Sequence, residues 1–525
     1  MFHFRLKVLG LIALAFSSAC TAQRNKETLV ANLATEPPSL DWSLATDHVS
    51  FNVICNLMVG LAEFGENLTP RPVLAKSWDI EDGGRRYVFH LREDARWTDG
   101  KPVTAHDFVF SWKRILDPKT ASEYAYLLFP LRNGRAFNEG KASREQVGVF
   151  AKDDFTLVAE LEEPAAFFLS LVTFEITFPQ REDVVSRWGD AWTDPAHIVT
   201  NGPFKLNAWR HEDVLELKRN EDFFLGAPPL PRVRFIMIPE KRTVMTLFDR
   251  GELDVMDNHS VDSLDIPRYE SLPGFRRVPQ LRGYYYGFNV EAPPFTDPRV
   301  RRAFAHAVDR SAFPKILRGG QKPATSWIPP NMFGHNEGIG LSFDLEKAKA
   351  LLREAGFATP KNFPKVKALF NANEENELVA QVLQAQWREN LGVEVQIENV
   401  EWKVFLEKLL RDPPALYRMG WGADYPDPDN FLNLFTSYSG NNKTRWKSAR
   451  YDDLIARAAR ELDAEKRRLL CEEAQRLLLE EDAVIIPLFS TTENVVTQPW
   501  VEGFSLDSMA RLRFDKTKLL PEKMP

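Results

Sequence analysis

The stretch Arg418-Met-Gly-Trp-Gly-Ala-Asp-Tyr-Pro-Asp-Pro-Asp-Asn430 gathers the side chains of this chain best placed to do chemistry. Asp424 stands among small residues, with Gly420, Trp421 and Gly422 before it and Pro426 and Pro428 after it. Glycine and proline at that density predict a fixed loop with close backbone approach rather than a solvated charge run. Residue type alone leaves Asp424 two readings. It caps its own loop by accepting backbone N–H groups, or it receives a cation brought from outside. Asp427, Asp429 and Asn430 have the flavour of a calcium loop, but the glycine and the distal glutamate of such loops are missing, so a solvated loop is expected there.

Signatures of catalysis are absent. There is no H-E-x-x-H, G-x-S-x-G, G-x-x-x-x-G-K-[ST] or G-x-G-x-x-G pattern. The nine histidines are scattered, none at ligand spacing from Cys, Asp or another His, so no metal and no cofactor is expected. An exported hydrolase, the reading from a different class, rests only on the abundance of acids in a chain with 74 Asp and Glu. The net charge of −7 argues against nucleic acid as a partner, since that needs a basic face. Thirteen Trp and 37 Phe fill large cores or line a cleft. A chain of 525 residues exceeds what one core serves, so two or three domains are expected.

The elements that must position these residues alternate between strand and helix. Residues 1–23 read as a secretory signal: Arg5 and Lys7, an apolar run from Val8 to Phe16, then Ser17-Ser18-Ala19-Cys20. The small residues before Cys20 resemble a lipobox, with Cys20 lipidated; ordinary cleavage after Ala19 or Ala22 is the alternative. Both place the protein outside the cytoplasmic membrane, with membrane contact only through such an anchor. Cys55 and Cys471 fall in amphipathic helical patterns and are read as buried free thiols. Strands are expected at Leu29–Leu33, Tyr87–Arg92, Thr156–Leu161, Val214–Lys218, Val233–Ile238, Glu252–Met256, Gly283–Asn289, Val393–Ile397 and Val484–Phe489. Helices are expected over 49–62, from the Thr104 cap to Ile115, at Met245–Gly251, from Asp297-Pro298, at Asp344–Ala355 and Glu377–Asn390, and as a pair over Arg450–Glu481. The composition shifts near residues 60, 185, 280 and 490.

Ordered motifs along nearly the whole mature chain carry a family likeness. They are Trp97-Thr-Asp-Gly-Lys-Pro-Val-Thr-Ala-His-Asp-Phe-Val-Phe-Ser-Trp112, Asp117-Pro-Lys-Thr-Ala-Ser-Glu-Tyr124, Thr200-Asn-Gly-Pro-Phe204, Pro293-Pro-Phe-Thr-Asp-Pro-Arg-Val300, Asp309-Arg310, the run from Leu391 to Trp402, and Gly420-Trp-Gly-Ala-Asp-Tyr425. With them the chain resembles the oligopeptide-binding proteins of bacterial peptide ABC importers, solute-binding protein family 5. The resemblance implies an α/β fold: a two-lobed clamshell of the type II-like, cluster C kind with an additional α+β domain. Mapped here, lobe I joins 24–58, 184–279 and 492–525, the extra domain is 59–183, and lobe II is 280–491.

The same resemblance implies a site for an extended short peptide, delivered by a monomeric receptor to the permease subunits of an importer. Asp424 would grip the peptide amine, Gly420 and Gly422 would pair with its backbone, and Trp421 would wall a side-chain pocket. Tyr124 would contact the ligand from the extra domain, and Thr46 to His48 would pair with it in strand fashion. Arg418 matches an arginine that meets the carboxylate of a short peptide. Asn376 stands where some members have a histidine for a longer one, and Leu409 replaces a further arginine. A disulfide of some members is absent, its positions being Tyr285 and Gly422. A murein-peptide receptor of the same family is the nearest rival reading.

Overall fold

The computed structural model describes residues 25–65, 67–258, 260–261, 265–358 and 362–524; the export segment with Cys20 lies outside them. The described residues are organised by one mixed sheet of eleven strands. From edge to edge it runs Val395–Val400, Val366–Asn371, Leu416–Gly422, Phe275–Phe288, Ile485–Thr497, Val255–Met256, Thr28–Asn32, Arg232–Ile236, Val214–Arg219 and Phe204–Arg210, with Lys322–Pro323 paired to Ile485–Thr497.

Two long strands form the middle of this sheet. Phe275–Pro279 pairs with Thr492–Val496, and Gly283–Gly287 pairs with Ile485–Ser490, with a register shift between Pro279 and Gly283. The shift leaves two extra residues on the first strand, a bulge-like irregularity of the kind that bends a strand and re-aims a side chain. There the Leu281 N–H donates to the Ser508 carbonyl at 2.8 Å, and the Gln280 amide donates to the carbonyls of Val278 and Asp507. Past the bulge, Tyr284 and Tyr286 enter one core and Tyr285 the opposite one. Three consecutive tyrosines are compatible with a strand because both of its faces are covered.

A second, four-stranded antiparallel sheet comprises Ala75–Glu81, Arg86–Leu91, Thr156–Glu160 and Val149–Asp153. The helix Ala105–Leu116 covers it with Phe108, Trp112 and Ile115, the face expected from the spacing. Its core is continuous with that of the amino-terminal half of the large sheet. The Asn201-Gly202 turn packs on the end of the helix His48–Leu57: Gly202 N–H donates to the Leu57 carbonyl at 2.9 Å, and a Cβ on Gly202 would stand 2.5 Å from Leu57 backbone atoms. Cys55 on that helix and Cys471 on the helix Ala464–Arg476 are buried and unpaired, as expected.

Several elements differ from expectation. The helix expected over 49–62 ends at Leu57. That expected from Met245 begins at Lys241, because the Glu240 side chain caps the Arg242 and Thr243 N–H groups. The strand expected over Glu252–Met256 shrinks to Val255–Met256, and the aromatic strand extends back to Phe275. No helix among the described residues is long and apolar enough to cross a membrane.

Candidate functional site

The stretch expected as a loop divides in two. Leu416–Gly422 is a strand, and the loop proper begins at Ala423. The strand pairs along its whole length with Arg282–Phe288 on one side. On the other side only Leu416 and Tyr417 have partners, Ala368 and Leu369. Asn289 N–H donates to the Ala415 carbonyl and Ala423 N–H to the Leu281 carbonyl. The odd-numbered residues therefore direct their backbone groups to the first neighbour. By the two-residue period, Arg418, Gly420 and Gly422 direct theirs to the opposite edge, where no strand among the described residues pairs beyond Tyr417. The glycines keep that edge free of side chains.

Asp424 stands at the end of the edge, half-buried. Tyr124 O–H donates to its Oδ1 at 2.9 Å, and the Asn430 amide reaches its Oδ2 at 3.4 Å. Asn430 Oδ1 in turn accepts from the Asp424 N–H at 3.1 Å and from Trp421 Nε1 at 2.9 Å. Trp421, Asn430, Asp424 and Tyr124 thus form one chain of bonds. Both donors to the carboxylate are neutral, and among the described residues no cation pairs with it. Burial pushes its carboxyl above the ordinary range, against the lowering effect of those two bonds.

The following residues are not the solvated loop that was expected. Asp427 is buried in a two-pronged ion pair with Arg467, at 2.6 and 2.9 Å, which ties the loop to the helix Ala464–Arg476. Asp429 accepts from Tyr425 O–H at 2.9 Å, and burial, with Asp427 next, raises its carboxyl to about 6. Beside them is a cavity of about 700 Å³ walled by Tyr126, Phe129, Phe167, Trp421, Tyr425 and Tyr438.

At the other end of the strand, the Arg418 guanidinium stacks over the Tyr284 ring at 4.4 Å and donates to Asn371 Oδ1 at 3.2 Å. Asn376 is brought near but turned away. Its Oδ1 accepts from Tyr284 O–H, and its amide donates to the Asn371 carbonyl and Oδ1, so its bonds are all internal. It positions Asn371 and Tyr284, which in turn hold Arg418. Leu409 is core. Thr46 is exposed, Asp47 is extended and caps the Ser50 N–H, and the strand-like course implied for Thr46 to His48 gives way to helix at His48. Tyr285 lies opposite Met419, not Gly422, so those two positions do not face one another. The residue opposite Gly422 is Arg282, which sequence reasoning missed because its counterpart lies 140 positions on.

The chain belongs to the bacterial extracellular solute-binding proteins, family 5: the model of that family's middle region matches residues 69–443. It is 36% identical to the periplasmic oligopeptide-binding protein OppA of Salmonella typhimurium, covering 94% of each chain. It is 34% identical to the probable deoxycholate-binding periplasmic protein YgiS of Escherichia coli, covering 90% of each. The solved structure of the Escherichia coli murein tripeptide binding protein MppA matches with a TM-score of 0.79 at 30% identity, covering 94% of this chain and 99% of that one. The two-lobed α/β fold follows from this likeness.

Proposed function

We propose that the protein is the extracytoplasmic receptor of an ABC importer, taking short oligopeptides in an extended conformation between its lobes and passing them to the membrane permease. One observation carries this reading: a strand edge unpaired from Arg418 to Gly422 ends at a carboxylate that no cation pairs with among the described residues. A peptide added along the edge satisfies its backbone by strand addition, whatever its side chains. Its ammonium completes Asp424 by a charge-assisted bond. Four steps along the strand at ~3.4 Å each separate Gly422 from Arg418, so a ligand of about three or four residues spans the interval.

In this reading Gly420 and Gly422 offer main-chain groups, Trp421 walls the first side-chain pocket, Tyr124 holds the carboxylate from the extra domain, and Arg418 meets the ligand carboxylate. Thr46 and His48 close the cleft from lobe I, built from 24–58, 184–279 and 492–525. The receptor acts as a monomer outside the cytoplasmic membrane, held there by lipidation at Cys20. A murein-peptide receptor is the second reading; the likeness to MppA favours it and it uses the same amine site.

The test is calorimetry with trialanine and its N-acetyl form. Wild type should bind the free amine at least about a hundredfold more tightly, since leaving a buried carboxylate unpaired costs about 3 kcal/mol or more. Asp424→Asn should lose the free-amine preference. Equal affinity of that variant for both peptides, at the wild-type free-amine level, would remove the assignment.

A further inference from the structure

Arg282 is a cation that the amine site does not use. It leaves the bulge opposite Gly422, and its guanidinium passes over that glycine: a Cβ on Gly422 would stand 3.0 Å from Arg282 Nε. A side chain there would need the arginine to give way by a few tenths of an ångström. Arg282 Nη2 reaches His48 Nε2 at 2.6 Å, while His48 Nδ1 lies 3.0 Å from Arg511 Nη1. Arg511 has its own counter-ion, Glu175 at 2.6 Å. Among the described residues no carboxylate forms an ion pair with Arg282 or with Arg418, and Arg418 Nε is buried without a partner.

Two carboxylates, Glu493 and Glu375, lie within electrostatic reach of Arg282, and neither forms an ion pair with it among the described residues. Glu493 accepts from Asn258 N–H at 2.7 Å, and burial, with Asp257 next, pushes its carboxyl well above the ordinary range. Glu375 faces Arg418, Lys241 and Arg282, and its carboxyl is likewise raised by burial. A guanidinium withdrawn from water without a counter-charge is costly, and the cost is recovered when an anion arrives.

We infer that Arg282 is a specificity residue that takes a carboxylate carried on a side chain near the amino end of the ligand, so that the receptor selects acidic short peptides. The inference rests on the peptide reading above, which places the first ligand residues alongside Gly422. A planar guanidinium suits a carboxylate, and a lysine brought to the same place meets like charge.

The test is calorimetry with Ala-Glu-Ala, Ala-Gln-Ala and Ala-Lys-Ala. Wild type should prefer Glu over Gln by about tenfold or more, the size of one charge-assisted hydrogen bond, with Lys weakest. Arg282→Met should bring the Glu-to-Gln ratio to about one, and Arg282→Lys, which keeps the charge, should restore part of it. Asp424→Asn should weaken all three peptides and leave the ratio standing. A wild type that binds Glu and Gln peptides equally, or a preference that survives in Arg282→Met, overturns the assignment of Arg282 and leaves the amine site intact. Failure of wild type to bind any of the three overturns both.

Discussion

Burial raises the Asp424 carboxyl in the unliganded protein, and a ligand ammonium would draw it back down. Binding therefore expels a proton at any pH between the two values. Affinity is full above the unliganded value and declines as pH falls through it, and because that value is raised, the decline begins above the range of an ordinary aspartate. The amine stays charged throughout an acid titration, its own pKa being about 7.7 to 8. Peptide affinity measured from about pH 7 to about pH 4 should fall in wild type, with proton release seen as a buffer-dependent heat. Asp424→Asn should flatten the profile. Tyr124 and Asn430 matter here as neutral donors, which hold the carboxylate in place without consuming its charge.

The turn at Gly202 and the helix His48–Leu57 meet at backbone distance, so the helix that holds His48 against Arg282 and Arg511 is seated from its far end. Gly202→Ala should cost about 1 to 3 kcal/mol in urea unfolding, the price of overpacking against atoms that cannot rotate away. Wild-type stability in that variant would show that the turn can shift. Elements of this kind were readable where one local signal set them. Asp297-Pro298 opens its helix, Thr104 precedes the helix Ala105–Leu116, and the alternation in Tyr87–Arg92 marks a strand. The strand Leu416–Gly422 was not readable, because two glycines and an arginine mask its period and its partners come from residues 282–288 and 368–369. Asp424 could be singled out from its setting. Arg282 could not, because its meaning depends on a cross-strand register that no local pattern encodes. The ion pair of Asp427 with Arg467 was hidden for the same reason.

Across the whole molecule, the site draws on distant parts of the chain. Tyr124 reaches Asp424 across 300 positions, Phe167 stacks on Tyr425 at 5.9 Å, and Ala166 N–H donates to the Ala459 carbonyl. In the proposed reading ligand binding is coupled to how these parts sit on one another, and the two buried thiols offer a way to time it. Cys55 and Cys471 are both buried, and burial raises each thiol to about 12, so neither is nucleophilic in the folded protein. In a pulse of iodoacetamide under native conditions each should react only as fast as its surroundings open, and saturating peptide should slow both. Rapid labelling without denaturant would contradict the packing. With one sulfur on the helix His48–Leu57 and the other on the helix Ala464–Arg476, the described residues carry two internal clocks, and the ratio of their rates measures whether the surroundings of those helices open together or one before the other.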